Sequence, residues 1–217
     1  MTAPANAPDG LRGWPSPFVA VDNSEARPWT FGWHAYANRM TDRSIVASSE
    51  IDTNSPIVRK YGAPFHLLSA ELPTADYWLV GPQGPVPGFV GVERKERDLA
   101  SSLTAEMPRF KEECDRLRTF TNPLIVTSCT LEDLVARAPQ HEPAFIGGIA
   151  VIAARYRIPL IPCADREMAE RFAARFLWEV WQSWLAVSPD VLRWARAEEA
   201  RLGIVRGQAR RQRRVAG

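Results

Sequence analysis

Residues Asp76 to Lys95 read DYWLVGPQGPVPGFVGVERK, and the pairing of this stretch organises the rest of the chain. Tyr77 to Gly81 is a run of aromatic and branched side chains of the kind that favours strands. Pro82 to Gly88 is turn material, dense in proline and glycine, and Phe89 to Val92 is a second β-type run. Together they predict a β-hairpin. A symmetric hairpin sets Asp76 opposite Glu93 and centres its turn between Gly84 and Pro85. Side chains directly opposite have Cβ atoms roughly 5 Å apart, and a bulge would change that register. Lys95 lies two positions after Glu93 and shares its face, whereas Arg94 points to the other.

Working outward, Phe18 to Val21 is a short apolar run ending at Asp22, and His66 to Leu72 is a further strand candidate. Residues 1–17, with Pro4, Pro8, Pro15 and Pro17, read as a flexible leader. Residues 32–65 carry no clear period. After the hairpin, Leu99, Leu103, Met107, Phe110, Cys114 and Leu117 recur at helical spacing on one face. Pro108 is expected to split that helix. Pro123 to Thr127 reads as a buried strand, 131–138 as a short helix, 143–156 as an apolar helix, and Ile158 to Pro162 as a strand. Asp165 is placed to cap a long helix running to about Ala186, and Ser188 to cap a last one. Strands alternating with helices predict an α/β fold, a sheet covered on both faces. The expected division is a leader at 1–17, a main domain at 18–187, and a C-terminal helix with an Arg-rich tail at 188–217.

Composition narrows the class. The chain has 217 residues and a formal net charge of +2. A hydrophobic content of 46% with 24% charged residues is that of a globular protein and excludes disordered and fibrous classes. Charge is unevenly spread: residues 188–217 carry eight arginines against three acids, leaving the other 187 residues at net −3. Three widely spaced cysteines, Cys114, Cys129 and Cys163, form no zinc pattern and suit reduced thiols in a cytoplasmic setting. The most apolar stretch, Ala144 to Ala154, is about half the ~20 residues of a membrane span. His34, His66 and His141 fall in no ligand pattern.

Two carboxylates and a lysine converging at strand ends suit metal-assisted phosphodiester cleavage. Carboxylates hold Mg²⁺ or Mn²⁺ through hard oxygen ligands, the metal acidifies a bound water, and an ammonium offsets charge developing on the phosphate. The spacing D-x16-E-x-K is common enough that a solvated charge run at the end of a surface hairpin explains it too. Two features favour chemistry. Lysine is scarce, three residues against 24 arginines, yet one falls here. Asp98 adds a further acid, although a helix cap before Leu99 accounts for it equally.

The stretch Gly91-Val-Glu93-Arg94-Lys95-Glu-Arg-Asp98-Leu-Ala-Ser-Ser-Leu103 resembles the signature of the XPF-type structure-specific nucleases. Leu72-Pro-Thr-Ala75-Asp76-Tyr77 resembles that family's L-x-x-G-D-Y segment, with Ala75 in place of glycine. Val21-Asp22-Asn-Ser24-Glu25-Ala-Arg27-Pro28 resembles its V-D-x-R-E-x-x-P element, with Ser24 in place of arginine. Order and spacing match over roughly residues 18–185. The resemblance implies a restriction-endonuclease-like mixed central sheet flanked by helices, and Mg²⁺- or Mn²⁺-dependent cleavage of DNA at branches or single-/double-strand junctions. It implies that Asp76, Glu93, Asp22 and Glu25 bind metal, that Lys95 is the catalytic lysine, and that Arg94 and Asp98 complete the site. Arg109 stands where the family often has an arginine.

Relatives often end in a tandem helix-hairpin-helix domain, for which the residues after Ala186 leave no room. Arg210, Arg211, Arg213 and Arg214 are candidates for a phosphate clamp in its place, the alternative being a solvated terminus. Trp178, Trp181 and Leu185 read first as core, and second as a face for a homodimer or heterodimer. Against the nuclease reading stands a catalytically silent DNA-binding or scaffold subunit. Intact Asp76, Glu93 and Lys95 argue against it.

Overall fold

The computed structural model describes residues 15–24, 29, 31, 65–96 and 98–201. Its centre is a mixed seven-stranded sheet. β1 (Phe18–Asp22), β2 (His66–Ala70), β3 (Tyr77–Gly81), β5 (Val90–Lys95), β6 (Asn122–Thr127) and β7 (Leu160–Pro162) lie in the order β2-β1-β3-β5-β6-β7. The two-residue β4 (Gly84–Pro85) pairs with β3. β3 runs antiparallel to both neighbours, whereas β1–β2, β5–β6 and β6–β7 are parallel. This is the α/β architecture expected from the alternation of elements.

The hairpin register is the decisive detail. Tyr77 pairs with Val92 and Trp78 with Gly91, the register that places Asp76 beside Glu93. The turn itself differs from the symmetric expectation. Val80 pairs with Pro85 and Gly81 with Gly84, so the tight turn is Pro82-Gln83 and not Gly84-Pro85. The Val86 N–H still donates to the Leu79 carbonyl at 3.0 Å, and Pro87 to Phe89 is then extra chain looping out between the tip and β5. Its composition explains it: Pro87 has no N–H to give a ladder, and Gly88 takes φ +71°. The second strand accordingly starts at Val90 and runs on to Lys95.

Helices cover the sheet. α1 (Leu99–Ser102) and α2 (Met107–Leu117) share the apolar face read from the sequence, and Pro108 stands in the first turn of α2, where its missing N–H costs nothing. α3 (Leu131–Arg137) begins with a capping box between Thr130 and Asp133. α4 (Glu142–Val151) continues into a π-helical turn at Ile152–Tyr156. α5 (Arg166–Val187) is capped by Asp165, whose carboxylate accepts the Met168 N–H at 2.7 Å. α6 (Pro189–Arg201) closes the described chain.

Trp178, Trp181 and Leu185 are fully buried, so they are core and not a free face. Trp181 Nε1 donates to the Pro15 carbonyl at 2.8 Å, and the Ser16 N–H donates to Glu199 on α6 at 2.8 Å. The end of the expected leader and the last helix are thereby tied to the same body. His66 packs on Phe18 with ring centroids 4.4 Å apart, and its Nε2 lies 3.5 Å from Glu199. Cys114, Cys129 and Cys163 are free and buried. Among the described residues no helix is long and apolar enough to cross a membrane.

Gly91 sets how closely α2 approaches β5. A Cβ there would lie 2.9 Å from Leu117 Cδ1 and 3.0 Å from Phe120 Cδ1. Gly91→Ala is therefore expected to destabilise the protein by about 1–3 kcal/mol through overpacking, measured by urea unfolding.

Candidate active site

β5 delivers Glu93, Arg94 and Lys95 in succession to the end of the sheet, and pleating separates them as the sequence requires. Glu93 and Lys95 are only 6% and 8% exposed. Burial of a lysine demands compensation, and the compensation is visible. Lys95 Nζ lies 3.0 Å from Glu93 Oε1 and 3.0 and 3.1 Å from the two oxygens of Glu113. Asp98 Oδ2 is 3.8 Å away, and the Phe110 ring centroid lies 5.2 Å from the ammonium.

Asp76 precedes β3. Its N–H donates to the Val92 carbonyl at 3.0 Å, and its Oδ2 accepts the Arg94 N–H at 2.6 Å. The carboxylate thus closes the end of the hairpin and is held close to Glu93. The preceding residue explains the geometry: Ala75 takes φ +61°, the left-handed region. A glycine would adopt it freely, which gives a physical meaning to the glycine usual in the resembling motif. Asp22 ends β1 beside this corner, its N–H donating to the Asp76 carbonyl at 2.9 Å. Its carboxylate accepts from the Ser24 hydroxyl and from the Leu72 N–H, the latter at 3.2 Å. Ser24, the departure from the family pattern, is therefore bonded to a proposed metal ligand.

Arg94 lies on the other face. Its guanidinium sits 5.6 Å from the Trp29 ring centroid and 3.6 Å from Glu96, which also pairs with Arg166. That is a bracing position and not one beside Glu93. Asp98 Oδ1 accepts the Glu96 N–H at 2.9 Å, so it organises the turn after β5 as well as facing Lys95. Arg109 is exposed on α2, next to Phe110. Glu25, Arg210, Arg211, Arg213 and Arg214 lie outside the described residues.

Sequence reasoning missed Glu113. It stands one residue before Cys114 and three after Phe110, at the edge of the apolar stripe of α2. A carboxylate flanking a buried helix face was the available signal, and only the packing of α2 on β5 shows that it meets Lys95.

The electrostatics follow from crowding. Burial pushes the Glu93 carboxyl well above its usual range, the negative charge of Asp76 adds to this, and Lys95 opposes it. For Lys95, burial favours the neutral amine, but the charges of Glu93 and Glu113 outweigh it and hold the ammonium protonated. The Glu113 carboxyl is lowered: burial opposes this, but hydrogen bonding to Glu93 and the charge of Lys95 prevail. Burial, then the charge of Glu113, pushes the Cys114 thiol up to about 12, which leaves it inert. Three carboxylates surround one ammonium, an excess of negative charge that suits a divalent cation. Among the described residues no three acidic, histidine or cysteine side chains form a ready-made metal cage.

Ala75→Gly relieves the left-handed strain against a loss of unfolded-chain rigidity. A net stabilisation of about 0.5–1 kcal/mol is expected, read as a rise in melting temperature.

No protein-family model and no curated protein matches the chain. Among solved structures, XPF from Aeropyrum pernix aligns with a TM-score of 0.52 at 20% identity, covering 75% of this chain. The chain spans 61% of that XPF. A structure of XPF from Aeropyrum pernix in complex with DNA aligns with a TM-score of 0.48 at 20% identity, covering 90% of this chain and 79% of that one. With its mixed sheet, its flanking helices and the Asp76–Glu93–Lys95 corner at the end of β3 and β5, the chain has the fold of an XPF-type nuclease.

Proposed function

We propose that the protein is a metal-dependent DNA endonuclease acting at branched or single-/double-strand junction DNA. The observation that carries this reading is the buried cluster of Glu93, Lys95 and Glu113 with Asp76 alongside. Four ionisable groups with surplus negative charge at a sheet end serve no packing purpose, and burying them is costly. The likeness of fold to XPF from Aeropyrum pernix supports it.

Asp76 and Glu93 would hold Mg²⁺ or Mn²⁺. Magnesium is commonly bound through one or two carboxylates, with waters and substrate phosphate completing its shell, so a full protein cage is not needed. When bound, the metal supplies an acidified water and Lewis-acid stabilisation of the phosphate. The protein's own groups do the rest. Glu93 and Glu113 keep Lys95 charged, and its ammonium either orients the attacking water or offsets the charge that gathers on phosphate oxygens. Glu113 anchors the lysine from α2. The Arg94 N–H fixes the Asp76 carboxylate in place at the strand end.

The test incubates flap, fork, linear duplex and single-stranded DNA with the protein, in Mg²⁺ and in EDTA. Cutting is expected in Mg²⁺ alone, strongest on branched DNA, and lost in Glu93→Ala and Lys95→Ala. Glu113→Gln is expected to slow cutting by about 10–100-fold, as for supporting partners of metal sites, with DNA affinity unchanged. Full activity in Glu93→Ala would overturn the site assignment. DNA binding with no cutting of any substrate would establish the silent scaffold reading instead.

A further inference from the structure

A concavity of about 520 Å³ opens at the other end of the sheet, and its lining includes Arg118, Phe120, Arg155, Tyr156 and Arg157. Phe120 precedes β6 by two residues, whereas the far end of β6, Thr127, pairs with Lys95. Five residue steps at about 3.3 Å separate the two ends by about 16 Å, so the concavity is not part of the Lys95 cluster. The two are joined by α2: Glu113 reaches Lys95, and Arg118 immediately follows the helix.

Three arginines, Arg118, Arg155 and Arg157, line the concavity with little to neutralise them. Arg118 pairs with Asp115 at 3.0 Å, an exposed contact of small consequence. No acidic side chain among the described residues pairs with Arg155 or Arg157. Arg118 and Arg155 each lie 5.9 Å from the centroid of the Tyr156 ring, whose face offsets part of their mutual repulsion. The backbone is irregular at the same place. Ile152–Tyr156 is a π-helical turn, and Arg157 takes φ 58° and ψ 34°, a conformation its Cβ disfavours. π turns and non-glycine left-handed residues concentrate at working sites, and here both serve to present adjacent arginines.

We infer that this concavity is a phosphate-binding site, and that it grips the backbone of the DNA whose cleavage is proposed above. The inference rests on that reading for its ligand. Guanidinium forks match phosphate oxygens in pairs, and an opening of this volume lined by three arginines exceeds what one free phosphate fills. Contacts of this kind to a phosphate backbone are blind to base sequence.

Fluorescence anisotropy with labelled duplex and forked DNA, in EDTA, separates binding from cutting. Arg155→Ala/Arg157→Ala is expected to weaken binding about 10-fold and to flatten the dependence of log affinity on log salt by about 1–2. Arg193→Ala, which removes an exposed arginine of α6 that does not line the concavity, keeps that salt dependence. Arg157→Gly relieves the strained conformation, so its melting temperature is no lower than that of the native protein while its DNA affinity falls. Unchanged affinity and salt dependence in the double variant would overturn the inference. So would an unchanged DNA affinity alongside loss of thermal stabilisation by a nucleoside monophosphate or pyrophosphate, which would assign the concavity to free phosphorylated ligands. If the native protein cuts no DNA in Mg²⁺, the nuclease reading fails, while weaker binding by the double variant still supports the phosphate site.

Discussion

The antiparallel pairing of Tyr77 with Val92 and Trp78 with Gly91 lies near the middle of the sheet, and the site and the core both hang from it. It sets the strand ends level, so that Asp76 and Glu93 meet. It also leaves the Arg94 N–H facing the Asp76 carboxylate, which accepts it at 2.6 Å. Because side chains alternate along a strand, the same register sends Lys95 to the face of Glu93 and Arg94 to the face of Trp29. A slip of one residue would exchange those faces and bury the wrong charges.

Burying Lys95 then dictates what surrounds it. An ammonium at 8% exposure needs partners within hydrogen-bond reach, and Glu93 and Glu113 supply them. Glu113 comes from α2, so the position of that helix is a condition of the chemistry as much as of the core. Gly91 allows the close approach, Phe110, Cys114 and Leu117 bury the contact, and Pro108 starts the helix at the right place. The result carries a cost. Glu93 is pushed toward its neutral form by burial and by Asp76, a conflict that a protein built only for stability would remove by replacing the acids with apolar residues. A cation arriving at Asp76 and Glu93 would relieve it.

Much of the sheet was legible from residue pattern. The runs Phe18 to Val21, Tyr77 to Gly81 and Pro123 to Thr127 are short, apolar and bounded by turn residues, and each is a strand in the structure. The stripe from Leu99 to Leu117 and its interruption at Pro108 were equally readable, because helical period and a missing N–H are local properties. The turn was not. Symmetry placed it at Gly84-Pro85, whereas the tip closes at Pro82-Gln83 and Pro87 to Phe89 loops out. Trp184, from distant α5, packs against Phe89 with centroids 4.9 Å apart, and its ring also lies against Gly81.

Local order in the chain was enough to determine the strands, the helix faces, the closeness of Asp76 to Glu93 and the shared face of Lys95. These depend on spacing and on two periods, 2 for strands and 3.6 for helices, both of which are written in the residues. Only the tertiary structure decided that Glu113 completes the lysine's partners, that Arg94 braces Glu96 beneath Trp29, and that Arg118 meets Arg155 around Tyr156. Each of those arrangements draws in a residue from a separate part of the chain: Glu113 from α2, Trp29 from the segment between β1 and β2, and Arg118 from the end of α2. Their meeting is set by how helices settle on the sheet, a balance of close packing and buried charge that no single stretch of sequence contains.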